Sequence, residues 1–280
     1  MELFTAPVAL RTWSDAHRRA GRRVGLVPTM GALHEGHFAL VEQARQTCDV
    51  VALSIFVNPL QFERVDDLAA YPRPIDDDLA ACRARGVDAV YAPTAATMYP
   101  DGFDTHVVPG HIGEVLEGAQ RPGHFRGVTT VVAKLFGAAR PDVAVFGEKD
   151  YQQLAVVRRM VVDLDMGIEI VGLPTVREPD GLALSSRNRR LTAEQRAAAV
   201  CVPRSLDEVR AAFRSGTTDA RELQAVGRGI VAAEPLARFE HLDLVDGTTL
   251  EPVDRATTGT VALTAVWFGD VRLIDNRRLG

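Results

Sequence analysis

The strongest constraint on this chain is a rhythm of short apolar runs, each separated from the next by a stretch long enough for a helix. Val24 to Val27, Val50 to Phe56, Val87 to Tyr91, Val143 to Phe146 and Ile168 to Val171 read as strands buried on both faces. Helical patterns near His37 to Thr47, Ile75 to Arg85, Val128 to Ala139 and Asp150 to Asp163 lie between them. Buried strands joined by helices imply an α/β fold, a Rossmann-like doubly wound parallel sheet. Such sheets bind ligands beyond the carboxyl ends of their strands, so the segments after Val27, Phe56 and Phe146 are where chemistry should be sought.

The style changes near residue 180. Thr192, with Glu194 and Gln195 close behind, starts a capped helix, and a second helical stretch runs from about Asp219 to Ala233. Phe239 to Val245, Val261 to Phe268 and Val271 to Ile274 are separated by turn residues such as Asp246-Gly247 and Gly269-Asp270. That is the pattern of an antiparallel meander. A larger domain at 1–180 and a smaller C-terminal α+β domain at 181–280 are therefore expected.

Charge and cysteine usage narrow the function. A net charge of −5 over 280 residues argues against nucleic acid or an anionic membrane as the main partner, while leaving room for a local basic pocket. No apolar run approaches the roughly 18 residues of a membrane span, and Met1 to Trp13 lacks the layout of a secretion signal. Cys48, Cys82 and Cys201 are widely spaced without a C-x-x-C pair, as expected for a cytoplasmic protein with ordinary buried thiols. More telling is that 30 of the 32 cationic side chains are Arg, leaving only Lys134 and Lys149, and that Asn occurs only at 58, 188 and 276. In so biased a chain, each surviving Lys or Asn marks a place where Arg or Asp would not serve, or has survived by chance.

The sharpest motif is Pro28-Thr29-Met30-Gly31-Ala32-Leu33-His34-Glu35-Gly36-His37, after a strand and opening a helix. It is not a zinc-protease H-E-x-x-H, because its histidines are three apart with Gly36 between them. Nor is it a Walker loop, since His37 and Phe38 stand where Lys and Ser/Thr would bind phosphate and Mg²⁺. As H-x-G-H at a helix N-terminus, it offers backbone approach to a phosphate, a favourable dipole, and two imidazoles aimed at oxygens that gain charge. A pair of surface histidines beside a turn has the same spacing.

Phe146-Gly147-Glu148-Lys149-Asp150 ends another strand at a helix start, and Lys149 there can neutralise phosphate oxygens; an ordinary capped turn is the competing reading. Lys134, inside an apolar helical pattern, reads as a snorkelling structural residue. Leu184-Ser185-Ser186-Arg187-Asn188 pairs two hydroxyls with a guanidinium, suited to a triphosphate on a loop able to close, or equally to a helix cap with a solvated Arg. Asn58-Pro59-Leu60-Gln61 follows the second strand, where the Gln61 amide suits a hydroxy-acid or amino-acid substrate. Gly118 to Gly127, with Arg121 and His124, is a cationic loop suited to covering an anion. Asp76-Asp77-Asp78 suits either Mg²⁺ or, for at least two of the three, helix N-terminal capping.

Together these motifs, from Val24 to about Arg196, resemble the AMP-forming pantoate:beta-alanine ligases of the H-x-G-H nucleotidylyltransferase superfamily, and Leu273-Ile274-Asp275-Asn276 resembles that family's tail. Leu60 stands where Met is common and Phe38 where Leu or Met is usual, which touches only local packing. The resemblance implies attack of a pantoate carboxylate on the α-phosphorus of ATP, then displacement of AMP from the pantoyl adenylate by beta-alanine, with Mg²⁺ accompanying ATP. It implies ATP contacts from Met30, Gly31, His34, Gly36, His37, Gly147, Glu148, Lys149, Asp150, Val176, Leu184, Ser185, Ser186 and Arg187. Of these, His34, His37, Lys149 and Arg187 would be catalytic, with His37 the proton donor. Gln61 and Gln153 would hold pantoate, Arg121 and His124 would belong to the covering loop, and Asp77 would be the metal-associated carboxylate. It further implies that 1–180 binds ATP and pantoate, that 181–280 is a lid, and that the chain forms a homodimer. Two rival readings remain at this point: a nucleotidylyltransferase that only adenylylates its acceptor, and an idle nucleotide-binding regulator.

Overall fold

Each of the five apolar runs becomes a strand of one parallel sheet. The structure, a computed structural model, describes residues 1–62 and 65–280, and the chain divides into two units. Unit 1 comprises Met1–Glu148 and Gln152–Leu173. It runs β1 (Glu2–Phe4), α1 (Pro7–Arg19), β2 (Val24–Thr29), α2 (Glu35–Arg45), β3 (Val50–Ile55), α3 (Val65–Ala70), α4 (Ile75–Ala84) and β4 (Ala89–Tyr91). There follow α5 (Ala95–Met98), α6 (Glu117–Gln120), α7 (His124–Ala139), β5 (Val143–Gly147), α8 (Tyr151–Asp163, whose first residue groups with unit 2) and β6 (Glu169–Leu173).

The strands are ordered β1-β4-β3-β2-β5-β6 and every pairing is parallel. The chain builds outward from β2 through β3 to β4, then crosses back to β5, so the order reverses between β2 and β5. Strand residues alternate between two cores. Leu26, Ala52, Tyr91 and Phe146 pack with Leu10 and Trp13 of α1 and with α7 and α8, whereas Val27, Leu53, Val90 and Val145 pack with Phe38 and Val41 of α2 and Leu79 and Cys82 of α4. Burial on both faces explains why β2, β3, β4 and β5 are so apolar, whereas β6, at the other edge of the sheet, is half-buried with Glu169 exposed. β1 and α1 are not legible in the sequence: β1 is a three-residue edge strand, and α1 buries only Leu10, Trp13 and Ser14.

Unit 2 comprises Lys149–Tyr151 and Pro174–Gly280. It contains α9 (Ala193–Ala198), α10 (Cys201–Arg214), α11 (Ala220–Ala232), β7 (Arg238–Asp246), β8 (Thr260–Phe268) and β9 (Val271–Arg278). The strands form the expected antiparallel meander. One sheet face, through Leu242, Leu244, Val266 and Phe268, buries the apolar sides of α10 and α11. Thr192 and Gln195 form a reciprocal capping box at α9 (Gln195 N to Thr192 Oγ1 3.2 Å, Thr192 N to Gln195 Oε1 3.0 Å). Helix α10 is not legible in the sequence, because Pro203 sits inside it; in a first turn the missing N–H has no helical partner to lose. β9 continues past Ile274 through polar residues because Asp275 is buried against Arg177 (2.7 and 2.8 Å).

Candidate active site

The chain leaves β2 beside the point where the sheet order reverses, and turns sharply. Gly31 and Ala32 both have left-handed backbones, at φ 84° and 51°. Gly31 is required by space as well, since a Cβ there would lie 2.9 Å from Asp78 Oδ2. Ala32 bears a strain of about 1 kcal/mol, offset by Asp78, whose two oxygens accept from Ala32 N and Leu33 N at 2.8 Å each. These are charge-assisted bonds to a carboxylate only 3% exposed. Sequence reasoning named Asp78 within the acidic run Asp76-Asp77-Asp78 but singled out Asp77, whereas Asp78 is the carboxylate that holds this corner. Asp77, the expected carboxylate, is exposed on the first turn of α4, whereas Asp78 shares the helix face of Cys82 and turns inward. Helical phase with the buried Leu79 and Cys82 was the available signal.

His34 is the N-cap of α2 and His37 is the third residue of its first turn. Gly36 N donates to His34 Nδ1 (3.1 Å) and His34 N donates to His37 Nδ1 (3.2 Å), a capping box built from imidazoles. A backbone N–H can only donate, so both Nδ1 atoms accept and each neutral ring carries its proton on Nε2. The rings lie with centroids 4.0 Å apart. The spacing H-x-G-H therefore yields two neighbouring Nε2–H donors at the positive end of a helix dipole.

Beyond β3 the chain makes a single 3₁₀ turn, Pro59–Gln61, capped by Asn58. Asn58 is 1% exposed. Its Nδ2 donates to Gln61 Oε1 and to Gly127 O, both at 3.0 Å, while its Oδ1 accepts from Leu60 N (3.2 Å) and Tyr99 Oη (2.7 Å). Gly127 is needed for this approach, because a Cβ would lie 2.3 Å from the Leu60 carbonyl oxygen. Gln61 Nε2 reaches Met30 Sδ at 3.2 Å, joining the expected nucleotide and acid residues in unit 1. Arg121 Nη2 (3.1 Å) and His124 Nδ1 (2.9 Å) both donate to the Gln61 carbonyl, so the expected covering segment holds the Gln61 backbone. Of the adjacent glutamines on α8, Gln152 is buried and bonded to the Ile112 and Val115 carbonyls, leaving the half-buried Gln153 as the one compatible with a ligand. At the end of β5, a Cβ at Gly147 would meet no protein atom within 4 Å, so packing does not demand this glycine.

In unit 2, Lys149, Ser185 and Arg187 line one cavity with Asn188, Arg272 and Asp275. Asn276 Nδ2 donates to the Lys149 carbonyl (2.9 Å) and Tyr151 Oη to the Gly247 carbonyl (2.8 Å), which tethers the Lys149–Tyr151 segment. Lys149 Nζ is 3.9 Å from Asp150 Oδ1. Leu184 N donates to the Val176 carbonyl (2.9 Å), so these two expected contacts are neighbours. Ser185 caps the 3₁₀ turn Ser186–Arg190, and Asn188 ties that turn to Glu178 Oε1 (2.9 Å) and the Ala183 carbonyl (3.0 Å). Arg196 in turn bridges Glu178 and Asp180, each at 2.7 Å. Desolvation acts to raise the Asp180 carboxyl, but the bonds it accepts from Arg196 and Leu182 N together outweigh this and hold it below its ordinary range.

Among the described residues no group of three or more His, Cys, Asp or Glu is placed to hold a metal, and no helix is long and apolar enough to cross a membrane. The thiols of Cys82 and Cys201 are pushed up to about 11 and about 12 by burial. That leaves them as inert packing groups.

The chain is 52% identical over 263 residues to a pantothenate synthetase from Trichlorobacter lovleyi, covering 94% of this chain and 93% of that one. It is 54% identical over 254 residues to one from Chloroflexus aurantiacus, covering 90% of each. A solved pantothenate synthetase from Thermus thermophilus superposes with a TM-score of 0.93 at 45% identity, over 100% of this chain and 99% of that one. The pantoate-beta-alanine ligase from Francisella tularensis, solved with beta-gamma ATP and beta-alanine, gives 0.82 at 32% identity, over 100% and 98%. Residues 2–278 match the family model described as pantoate-beta-alanine ligase, and the chain belongs to that family.

Proposed function

We propose that this chain joins pantoate to beta-alanine through a pantoyl adenylate, consuming ATP and releasing AMP and pyrophosphate. The observation that carries this reading is the pair of imidazoles held as Nε2–H donors at the start of α2, with Met30 of the same loop bonded to Gln61. Such a site suits a reaction whose nucleophile is already ionised. A pantoate carboxylate oxygen attacks the α-phosphorus, the bond from that phosphorus to pyrophosphate breaks, and no general base is needed. The work lies in stabilising charge on phosphate oxygens, which preorganised donors do well.

In this reading His34 and His37 donate to the oxygens that gain charge, and His37 is the proton donor. The backbone of Met30, Gly31, Gly36 and Gly147 admits the nucleotide, with Glu148, Asp150, Val176 and Leu184 as further ATP contacts. Lys149, Ser185, Ser186 and Arg187 follow charge onto the leaving pyrophosphate. Gln61 and Gln153 hold pantoate through both steps, and Arg121 and His124 keep the Gln61 backbone in place. In the second step the beta-alanine amine attacks the acyl carbon, the carbon–oxygen bond to AMP breaks with its electron pair leaving on the AMP phosphate, and the nitrogen releases its proton to water. Mg²⁺ brought by the triphosphate would neutralise its oxygens. The donor set fits that role and not a resident metal cage, because Asp77 offers one exposed carboxylate while Asp78 is committed to Ala32 and Leu33.

A cytoplasmic location fits three free cysteines. A homodimer, the commonest oligomer, completes the proposal, and light scattering at low concentration tests it. The activity itself is tested by incubating purified protein with ATP, Mg²⁺, pantoate and beta-alanine. Release of AMP that requires both pantoate and beta-alanine is expected. Adenylylation of pantoate that beta-alanine does not discharge would make the chain a nucleotidylyltransferase instead, and ATP binding without turnover would make it a regulator.

A further inference from the structure

The Asn58 network determines which end of the Gln61 amide faces a ligand. Two backbone groups settle its polarity. Leu60 N–H can only donate, so the Asn58 atom 3.2 Å from it is Oδ1; the Gly127 carbonyl can only accept, so the atom 3.0 Å from it is Nδ2. The Gln61 atom 3.0 Å from Nδ2 must then accept, and is Oε1. Gln61 Nε2 is left facing the other way, against the thioether of Met30, a weak acceptor that a ligand oxygen readily replaces. Gln61 thus offers N–H donors to a substrate and keeps its own acceptor for Asn58.

One more group holds this arrangement. Tyr99 Oη is 2.7 Å from Asn58 Oδ1, and because that oxygen accepts, the phenol donates. Tyr99 is packed for the task, with its ring centroid 6.1 Å from that of Phe56 and 4.9 Å from that of Phe103. Burial pushes its phenol well above the usual range, which favours the protonated, donating form. Lys134 Nζ lies over the Phe103 ring (4.9 Å) and near the Tyr99 ring (5.9 Å). A cation over these ring faces is attracted to them and helps to hold the aromatic cluster in place.

We propose that Tyr99 is a positioning residue for the acid substrate: through Asn58 it holds the Gln61 amide with its nitrogen toward the substrate, and so sets the site to recognise an oxygen acceptor. The proposal rests on the reading above in which Gln61 holds pantoate.

The test is Tyr99→Phe, which keeps the ring and removes only the hydroxyl. Each of the three substrates is varied with the others saturating, in the wild type and in the Gln61→Ala background. The KM for pantoate should rise about 3- to 10-fold, with the KM values for ATP and beta-alanine unchanged within about 2-fold, as for loss of one buried hydrogen bond. In the Gln61→Ala background the same substitution should add nothing, because the amide it orients is gone. An unchanged pantoate KM in folded Tyr99→Phe, with or without a lower Tm, would assign the hydroxyl to the fold alone and overturn the proposal. So would a full effect persisting in Gln61→Ala. Failure of the underlying reading is distinct, since the KM for pantoate would then be unchanged in Gln61→Ala itself.

Discussion

Two regions of this molecule are suited to phosphate, and they are built by opposite means. The H-x-G-H corner of unit 1 uses dipoles: neutral imidazoles and backbone amides, held by a left-handed Gly31-Ala32 step, a buried Asp78 and a histidine capping box. The Lys149 and Ser185–Arg187 region of unit 2 uses full charges on short turns, steadied by amide side chains from Asn188 and Asn276. Dipoles locked by backbone geometry need little reorganisation as charge develops, which suits the reacting phosphorus. Flexible cations suit a group that must be gripped and then released, and their contribution is screened by salt.

The comparison breaks first at its two centres. His34→Ala and Lys149→Ala should each raise the barrier to adenylation by about 2.7 to 4 kcal/mol, read as the rate of pantoate-dependent pyrophosphate release. His34→Asn separates the two duties of that histidine. Asn retains an N-cap oxygen, so the Tm should stay near that of the wild type while the activity loss matches His34→Ala. Full activity in His34→Asn would mean that capping, not the Nε2 donor, is the role of that residue.

Asp78→Asn should come next. Its amide can accept from only one of Ala32 N and Leu33 N, leaving a buried amide unsatisfied and costing about 1 to 3 kcal/mol of stability, seen in denaturant melts, together with slower adenylation. Asn276→Asp should be milder and confined to the second region. Replacing the donor to the Lys149 carbonyl by an acceptor should raise the KM for ATP about 5- to 10-fold and leave that for pantoate unchanged. The smallest effect is acidic. Glu240 is held below the usual carboxylate range, first by its hydrogen bonds from Arg272, which lines the Lys149 cavity. A depressed carboxyl stabilises the fold above its unfolded pKa, and that contribution fades as pH falls through the folded value. The Tm of the wild type should therefore exceed that of Glu240→Gln near neutral pH, and the gap should close below about pH 4.

How far these regions were legible in the sequence follows from how each is built. Parallel strands buried on both faces leave apolar runs, and the half-buried edge strand β6 keeps enough of one in Ile170, Val171 and the adjoining Ile168. Five of the six strands could therefore be read directly, whereas the three-residue edge strand β1 and sparsely apolar α1 left no pattern. The placement of His34, Gly36 and His37 at the start of a helix was carried by the spacing of the motif itself. Rarity was a useful guide to the asparagines: Asn58, Asn188 and Asn276 each donate an amide to a backbone carbonyl, which Asp could not do, and Asn58 also accepts, which Arg could not. Partners distant in sequence stayed hidden. Asp78 against Ala32, Tyr99 against Asn58 and Arg177 against Asp275 depend on the folded chain bringing segments together. Lys134 was legible as structural, but its place beside the aromatic rings behind Asn58 was not.

The most direct test of the account follows one oxygen. Pantoate labelled with ¹⁸O in its carboxylate is turned over with ATP and beta-alanine, and the AMP is examined by mass spectrometry. Attack of that carboxylate on the α-phosphorus, followed by cleavage of the acyl carbon–oxygen bond, leaves one labelled oxygen in each AMP. AMP carrying no label, or ADP and phosphate in its place, would contradict a pantoyl adenylate and with it the roles assigned to both phosphate regions.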